Sequence, residues 1–217
     1  MTDKDLKHHV QNALDWEPSL DAMDIGVSVH EGVVTLRGNV ASFAEKTTAA
    51  RTALHVYGVK AVANDLAVHL RSGFERTDTE IAQAAIAALK WNTVVPDGHV
   101  SVAVADGWVT LAGALQWNYQ RDAAARAVRD LTGVKGVRNN ITVTPQPVSP
   151  LDVREKIEAA FKRSAEVDAR RISVNAHDGT VVLNGNVHSW TERQEAERAA
   201  WAAPGVKQVE DHLVIVP

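Results

Sequence analysis

The chain has 217 residues, 23 Lys and Arg against 27 Asp and Glu for a net charge of −4, and no cysteine. That balance excludes the clustered basic surface on which a dedicated nucleic-acid binder relies and gives no net attraction to anionic lipid, while the missing thiols exclude disulfides and thiolate metal ligands. No run of about 18 apolar residues is present to form a membrane-spanning helix, and the opening MTDKDLKHHVQNALDW mixes acids with bases and lacks an apolar secretory core, which predicts a cytoplasmic chain.

A single pattern is written three times. Gly32, Gly38 and Gly58 recur as Gly107, Gly113 and Gly133, a shift of 75 residues (107 − 32), and again as Gly179, Gly185 and Gly205, a shift of 72 (179 − 107). A period near 70 predicts three copies of one small domain, at residues 1–71, 72–147 and 148–217. Units of roughly 70 residues are marginal alone, so the copies are expected to pack on one another.

Each copy opens with an apolar stripe at i, i+4, i+7 and i+8: Leu6, Val10, Ala13, Leu14; Ile81, Ala85, Ala88, Leu89; Val153, Ile157, Ala160, Phe161. That is one face of a helix. Alternation follows, at Ile25, Val27, Val29; Val100, Val102, Val104; and Ile172, Val174, Ala176, which reads as a half-buried strand. Glu31-Gly32, Asp106-Gly107 and Asp178-Gly179 then supply the positive φ of a tight hairpin turn. The return strand buries Val34, Leu36 and Val40, or Val109, Leu111 and Leu115, or Val181, Leu183 and Val187. Its inward glycine, Gly38, Gly113 or Gly185, points to a close helix approach or a bulge.

Capping boxes at Ser42-x-x-Glu45 and Ser189-x-x-Glu192 start a second helix. The middle copy has Trp117 and Gln120 there. The helix core is small (Ala49, Ala53, Val56; Ala124, Val128, Leu131; Ala196, Ala200, Ala203), and Gly58, Gly133 and Gly205 are expected to end it as left-handed caps. A last strand carries Val62, Leu66, Val68; Val137, Ile141, Val143; or Val209, Leu213, Ile215, with Asn64, Asn139 and Asp211 on its inward register. The fold class is therefore α+β, three tandem αββαβ modules, each a three-stranded sheet with two helices on one face. Pro145, Pro147 and Pro150 in TPQPVSP predict a stiff linker before the third copy, and RSGFERTD a softer one before the second.

With VTLRGNV at 34–40 and GVKAVANDLAV at 58–68, and the same elements at 109–143 and 181–215, the chain resembles the BON domain family along almost its whole length. The resemblance implies small αββαβ modules linked to envelope and osmotic stress, with contacts to phospholipid or partner proteins and no catalytic residues.

Nine histidines raise a metal site, but only His30 and His177 share a repeat position, where the middle copy has Ala105. Metal ligands must converge at fixed spacing, so no metal and no cofactor is expected. Neither a phosphate loop nor HExxH nor GxSxG occurs, and an enzyme is not expected. What remains is the outward sheet face. In the first copy it reads Ser28, His30, Thr35, Arg37, Ala63, Asp65, and in the third Ser173, Asn175, Asn184, Glu210, His212. The middle copy offers Ser101, Ala103, Ala105, Trp108, Thr110 and Ala112, less charged and with one large aromatic, and Trp117 and Tyr119 lie nearby. Aromatics with an apolar body and a polar tip favour interfaces, so Trp108, Trp117 and Tyr119 are the candidate contacts to a protein partner or a membrane surface. Trp16, Trp91, Trp190 and Trp201 are expected to pack at helix flanks. The reading is a stress-linked, non-enzymatic scaffold acting through protein contacts, with peripheral phospholipid binding and small-ligand or ion sensing as the alternatives.

Overall fold

The computed structural model describes residues 2–146, 148–164 and 167–216; Pro147 of the expected stiff linker lies outside the described residues. The first repeat comprises α1 (Asp3–Asp15), β1 (Ile25–His30), β2 (Val33–Val40), α2 (Phe43–Leu54) and β3 (Ala61–Val68). The second comprises α3 (Asp78–Trp91), β4 (Val100–Ala105), β5 (Trp108–Leu115), α4 (Asn118–Arg129) and β6 (Gly136–Val143), and the third α5 (Pro150–Arg163), β7 (Ile172–His177), β8 (Thr180–Val187), α6 (Trp190–Trp201) and β9 (Gln208–Ile215). The sheets are ordered β1-β2-β3, β4-β5-β6 and β7-β8-β9. Each repeat is an α+β module, as its alternation and helical stripes require.

By contacts the chain divides into two units. One holds Met1–Asn92, Val102–Leu111 and Ala125–Asn139; the other holds Thr93–Ser101, Ala112–Ala124 and Asn140–Pro217. The first repeat lies wholly in the first unit and the third in the second, while the middle repeat contributes to both.

In the first repeat β1 and β2 are antiparallel, pairing Val27 with Leu36 and Ile25 with Gly38, and β2 and β3 are parallel, pairing Val34 with Val62. The third repeat has the same register, Val174 opposite Leu183 and Val181 beside Val209. Leu6, Val10 and Leu14 of α1, Ala49 and Ala53 of α2, and Val27, Val34, Leu36 and Leu66 of the sheet form one core. Each large aliphatic side chain so buried stabilises the fold by about 1.5–3 kcal/mol. Its counterpart in the third repeat is built around Phe161 and Ile157.

Both tip residues of each hairpin have positive φ, 51° and 80° at Glu31-Gly32, 53° and 80° at Asp106-Gly107, and 48° and 84° at Asp178-Gly179. A two-residue turn that follows strand twist needs this. The tip is tied down twice. Its glycine carbonyl accepts from the backbone amide of the lysine that ends each Gly-Val-Lys, Lys60 to Gly32 at 2.9 Å, Lys135 to Gly107 at 2.9 Å and Lys207 to Gly179 at 2.7 Å. In the first two repeats a carboxylate also accepts from both tip amides: Asp3 at 2.8 and 3.2 Å from Glu31 and Gly32, and Asp78 at 2.9 and 2.9 Å from Asp106 and Gly107. Asp78→Ala removes two charge-assisted bonds at a site water can reach, so a loss of about 1 kcal/mol is expected, read as a lower urea midpoint; an unmoved midpoint would exclude a stabilising role for the latch.

The same two helices are capped by Thr2 and Thr77, each with a complete capping box. The Thr2 hydroxyl and amide hold the Asp5 carboxyl below its ordinary value, and the Thr77 amide and hydroxyl do the same for Glu80. With folded pKa values depressed, these caps contribute at neutral pH and lose their contribution as pH falls through the folded pKa of each acid.

Two local expectations change. Gly38 makes room for backbone rather than for a helix: it has φ 125°, and a Cβ there would overlap the Asp24 carbonyl oxygen, which accepts from the Asn39 amide at 3.3 Å. Gly58 does not cap α2, which ends at Leu54 with His55 as its right-handed cap. It lies in the following turn, and the carbonyls of Gly58, Gly133 and Gly205 abut the hairpin-tip glycines. The inward polar residue of the last strand ties that strand to the second helix. Asn64 donates to the Lys46 carbonyl at 2.9 Å and accepts from the Leu66 amide, and Asp211 accepts from Arg193 at 2.7 Å and from the Leu213 amide.

Candidate functional site

Trp117 occupies the position where the sister repeats place a serine cap. It brings no side-chain acceptor, and its own amide donates to Gln120 Oε1 at 3.2 Å, which keeps half of a capping box. The replacement puts an indole at the mouth of α4. Tyr119, two residues on, is 56 % exposed, and the two rings stand 6.3 Å apart at 31°, within the range of favourable aromatic pairs. Trp117 also lines a cleft of about 270 Å³ with Gln116, Pro145, Gln146, Val148, Pro204 and Gly205. No lining residue is charged. Behind the aromatic pair Asn118 is buried; its amide nitrogen donates to Asp122 at 3.1 Å and its Oδ1 has no partner among the described residues.

Trp108, the first residue of β5, is held differently. Its ring lies over Gly136, where a Cβ would collide with it, and the Arg138 guanidinium stands 4.8 Å from its centroid. A pair of this kind contributes about 0.5–1 kcal/mol at an exposed site. The sister positions of Gly136 are Ala61 and Gln208, so the missing side chain accompanies the bulky one. The structure thus brings Trp117 and Tyr119 together, while Trp108, 38 % exposed, is engaged by its own sheet.

The four other tryptophans divide. Trp190 and Trp201 pack under arginines, Arg193 at 5.2 Å and Arg121 at 5.1 Å from the ring centroids. Trp16 and Trp91 are 88 % and 86 % exposed, contrary to the expectation of packing. Each lies two residues beyond the last buried leucine of its helix, Leu14 or Leu89, about 200° around the axis, and so turns away from the core. The 75-residue equivalence of positions 16 and 91 is the signal that marks them.

This geometry offers surface for stacking and apolar contact. Among the described residues no group of three or more His, Asp or Glu could hold a metal ion, and no helix is long and apolar enough to cross a membrane.

The BON domain family matches residues 2–69, 77–145 and 151–217. Osmotically-inducible protein Y of Escherichia coli (strain K12) is 33 % identical over 147 residues, which covers 65 % of this chain and 72 % of that protein. Among solved structures, CdsD, described as a structural protein of the type III secretion system of Chlamydia trachomatis, is 16 % identical over 98 % of this chain and 93 % of that one with a TM-score of 0.29. The C-terminal domain of CdsD gives 15 % identity, full coverage of both chains and a TM-score of 0.28.

Proposed function

The chain belongs to the BON domain family, and we propose that it is a non-enzymatic binding protein linked to osmotic stress, which engages a protein partner through the cleft beside Trp117 and Tyr119. The stress link rests on the similarity to Osmotically-inducible protein Y. The observation that carries the binding surface is the uncharged cleft rimmed by an indole whose neighbouring phenol is exposed. Such a surface suits an apolar or proline-bearing segment, since stacking on rigid aromatics needs little side-chain ordering. Trp108 supplies a further contact on the middle sheet.

The test is partner capture from osmotically stressed cells, followed by titration of the partner. Removing an aromatic anchor worth about 2 kcal/mol weakens binding about 30-fold, so Trp117→Ala should do so, with a smaller loss for Trp108→Ala because Arg138 already covers part of that ring. Equal affinity of wild type and Trp117→Ala would remove the cleft from the interface. Turnover on broad hydrolase and transferase panels is expected to be absent, with or without divalent metal.

A membrane surface is the second reading, favoured by the exposed Trp16 and Trp91 at equivalent helix ends. Indoles settle at the headgroup level of bilayers. With a net charge of −4, binding on this reading should not depend on anionic lipid. Absence of co-sedimentation with phosphatidylcholine vesicles would discard this reading, and co-sedimentation that survives the Trp16→Ala, Trp91→Ala double change would remove the two indoles from the contact.

A further inference from the structure

We propose that the hairpin tip of the third repeat, the backbone amides of Asp178 and Gly179, is an open receptor for a carboxylate carried by another molecule. The two sister tips show what such a site binds. In each, a carboxylate takes both amides, Asp3 from Glu31 and Gly32 and Asp78 from Asp106 and Gly107, at 2.8–3.2 Å. Both acids are the first residue of the opening helix, directly after a threonine cap.

The third repeat keeps the receptor and lacks the ligand. Position 150, which corresponds to 3 and 78, is proline, whose ring offers no acceptor. The tip itself is unchanged: φ is 48° and 84° against 51° and 80° in the first repeat, and the Gly179 carbonyl is fixed by the Lys207 amide as in the sister copies. The stem of Lys207 runs beside Gly179 as the stems of Lys60 and Lys135 run beside Gly32 and Gly107. Among the described residues no group accepts from the Asp178 or Gly179 amide.

Two adjacent amides at positive φ form a small concavity for one anionic group, and a carboxylate's two oxygens match the pair, as the occupied tips demonstrate. The acid at the first tip position does not oppose this, because Glu31 and Asp106 stand in the same place beside bound carboxylates. Gly205 lines the aromatic cleft and abuts Gly179, so Trp117→Ala, which removes the indole and leaves the tip amides in place, tells the two sites apart: the acetate response at Asp178 and Gly179 should survive it. The carboxylate comes either from a free small acid or from an aspartate at the start of a partner's helix.

The experiment follows the amide resonances of the full chain during titration with sodium acetate, with sodium chloride as the control. Expected are saturable shifts at Asp178 and Gly179 at least ten-fold larger than those at Glu31, Gly32, Asp106 and Gly107. Pro150→Asp should occupy the tip from within and abolish the response. Asp78→Ala should confer a response on Asp106 and Gly107, a gain that does not depend on how well the Pro150→Asp variant folds. A capped helical peptide that begins Thr-Asp and binds ten-fold more tightly than acetate identifies a protein source; one that binds no better identifies a free acid. Equal shifts at all three tips, an equal response to chloride, or no gain in Asp78→Ala would overturn the proposal.

Discussion

Gly38→Ala is expected to destabilise the first repeat by about 3 kcal/mol, the sum of holding a side chain at strongly positive φ and losing the bonds around it. The residue sits at φ 125°, and any Cβ would overlap the Asp24 carbonyl oxygen. That oxygen is backbone and cannot swing aside as a flexible side chain would. The chain would have to pull β1 from β2 at the Ile25–Gly38 pair, and Ile25 and Val27 belong to the core. The urea midpoint should fall while the slope stays the same, the signature of lost stability without a changed unfolded state. Gly26→Ala in the same sheet is the control, since its nearest neighbour is the Arg37 carbonyl at 3.5 Å, an ordinary contact. A Gly38→Ala loss no larger than that of Gly26→Ala would refute the close approach. The same result is expected at Gly113 and Gly185, which face the His99 and Arg171 carbonyls.

Gly38 also marks where the sequence stops being legible. Strand alternation and the Asp-Gly or Glu-Gly turn are local signals, so β1, β2 and the hairpin follow from a few residues read in order. What fills the space beside an inward glycine depends on a carbonyl 14 positions earlier (38 − 24), and nothing in residue type announces it. The Asp3 and Asp78 latches were hidden for the same reason. An acid in the first turn of a helix already has a sufficient local explanation in the helix dipole, while its partners are 28 and 29 residues away. Trp16 and Trp91 failed differently: helix-end indoles have a default reading as packing, and only the 75-residue spacing sets these two apart. At the candidate site, Trp117 was readable because it interrupts a capping pattern shared by the other copies. The cleft beside it was not, since Pro204 and Gly205 come from a different repeat.

Glu192→Ala should cost about 3 kcal/mol, because it leaves two partly buried amides without an acceptor and opens a small void. Glu192 is 5 % exposed. Its Oε2 accepts from the His188 amide at 2.6 Å, at the entry to α6, and its Oε1 accepts from the Asp168 amide at 2.9 Å, ahead of β7. The carboxylate thus joins a helix start to a segment 24 residues away, in addition to its own amide donating to the Ser189 hydroxyl. Its counterpart Glu45 is only half-buried, and its two oxygens stay within the cap, at the Ala41 amide and the Ser42 hydroxyl. Water can take over there, so Glu45→Ala should cost about 1 kcal/mol. Glu192→Gln falls between the two, since the amide keeps one acceptor and turns its NH₂ toward a second N–H donor. Hydrogen exchange separates a cap from a tie: in Glu192→Ala the Asp168 amide should lose protection together with that of His188. If only His188 loses it, or if the Glu45 and Glu192 variants lose equal stability, Glu192 is no more than a helix cap.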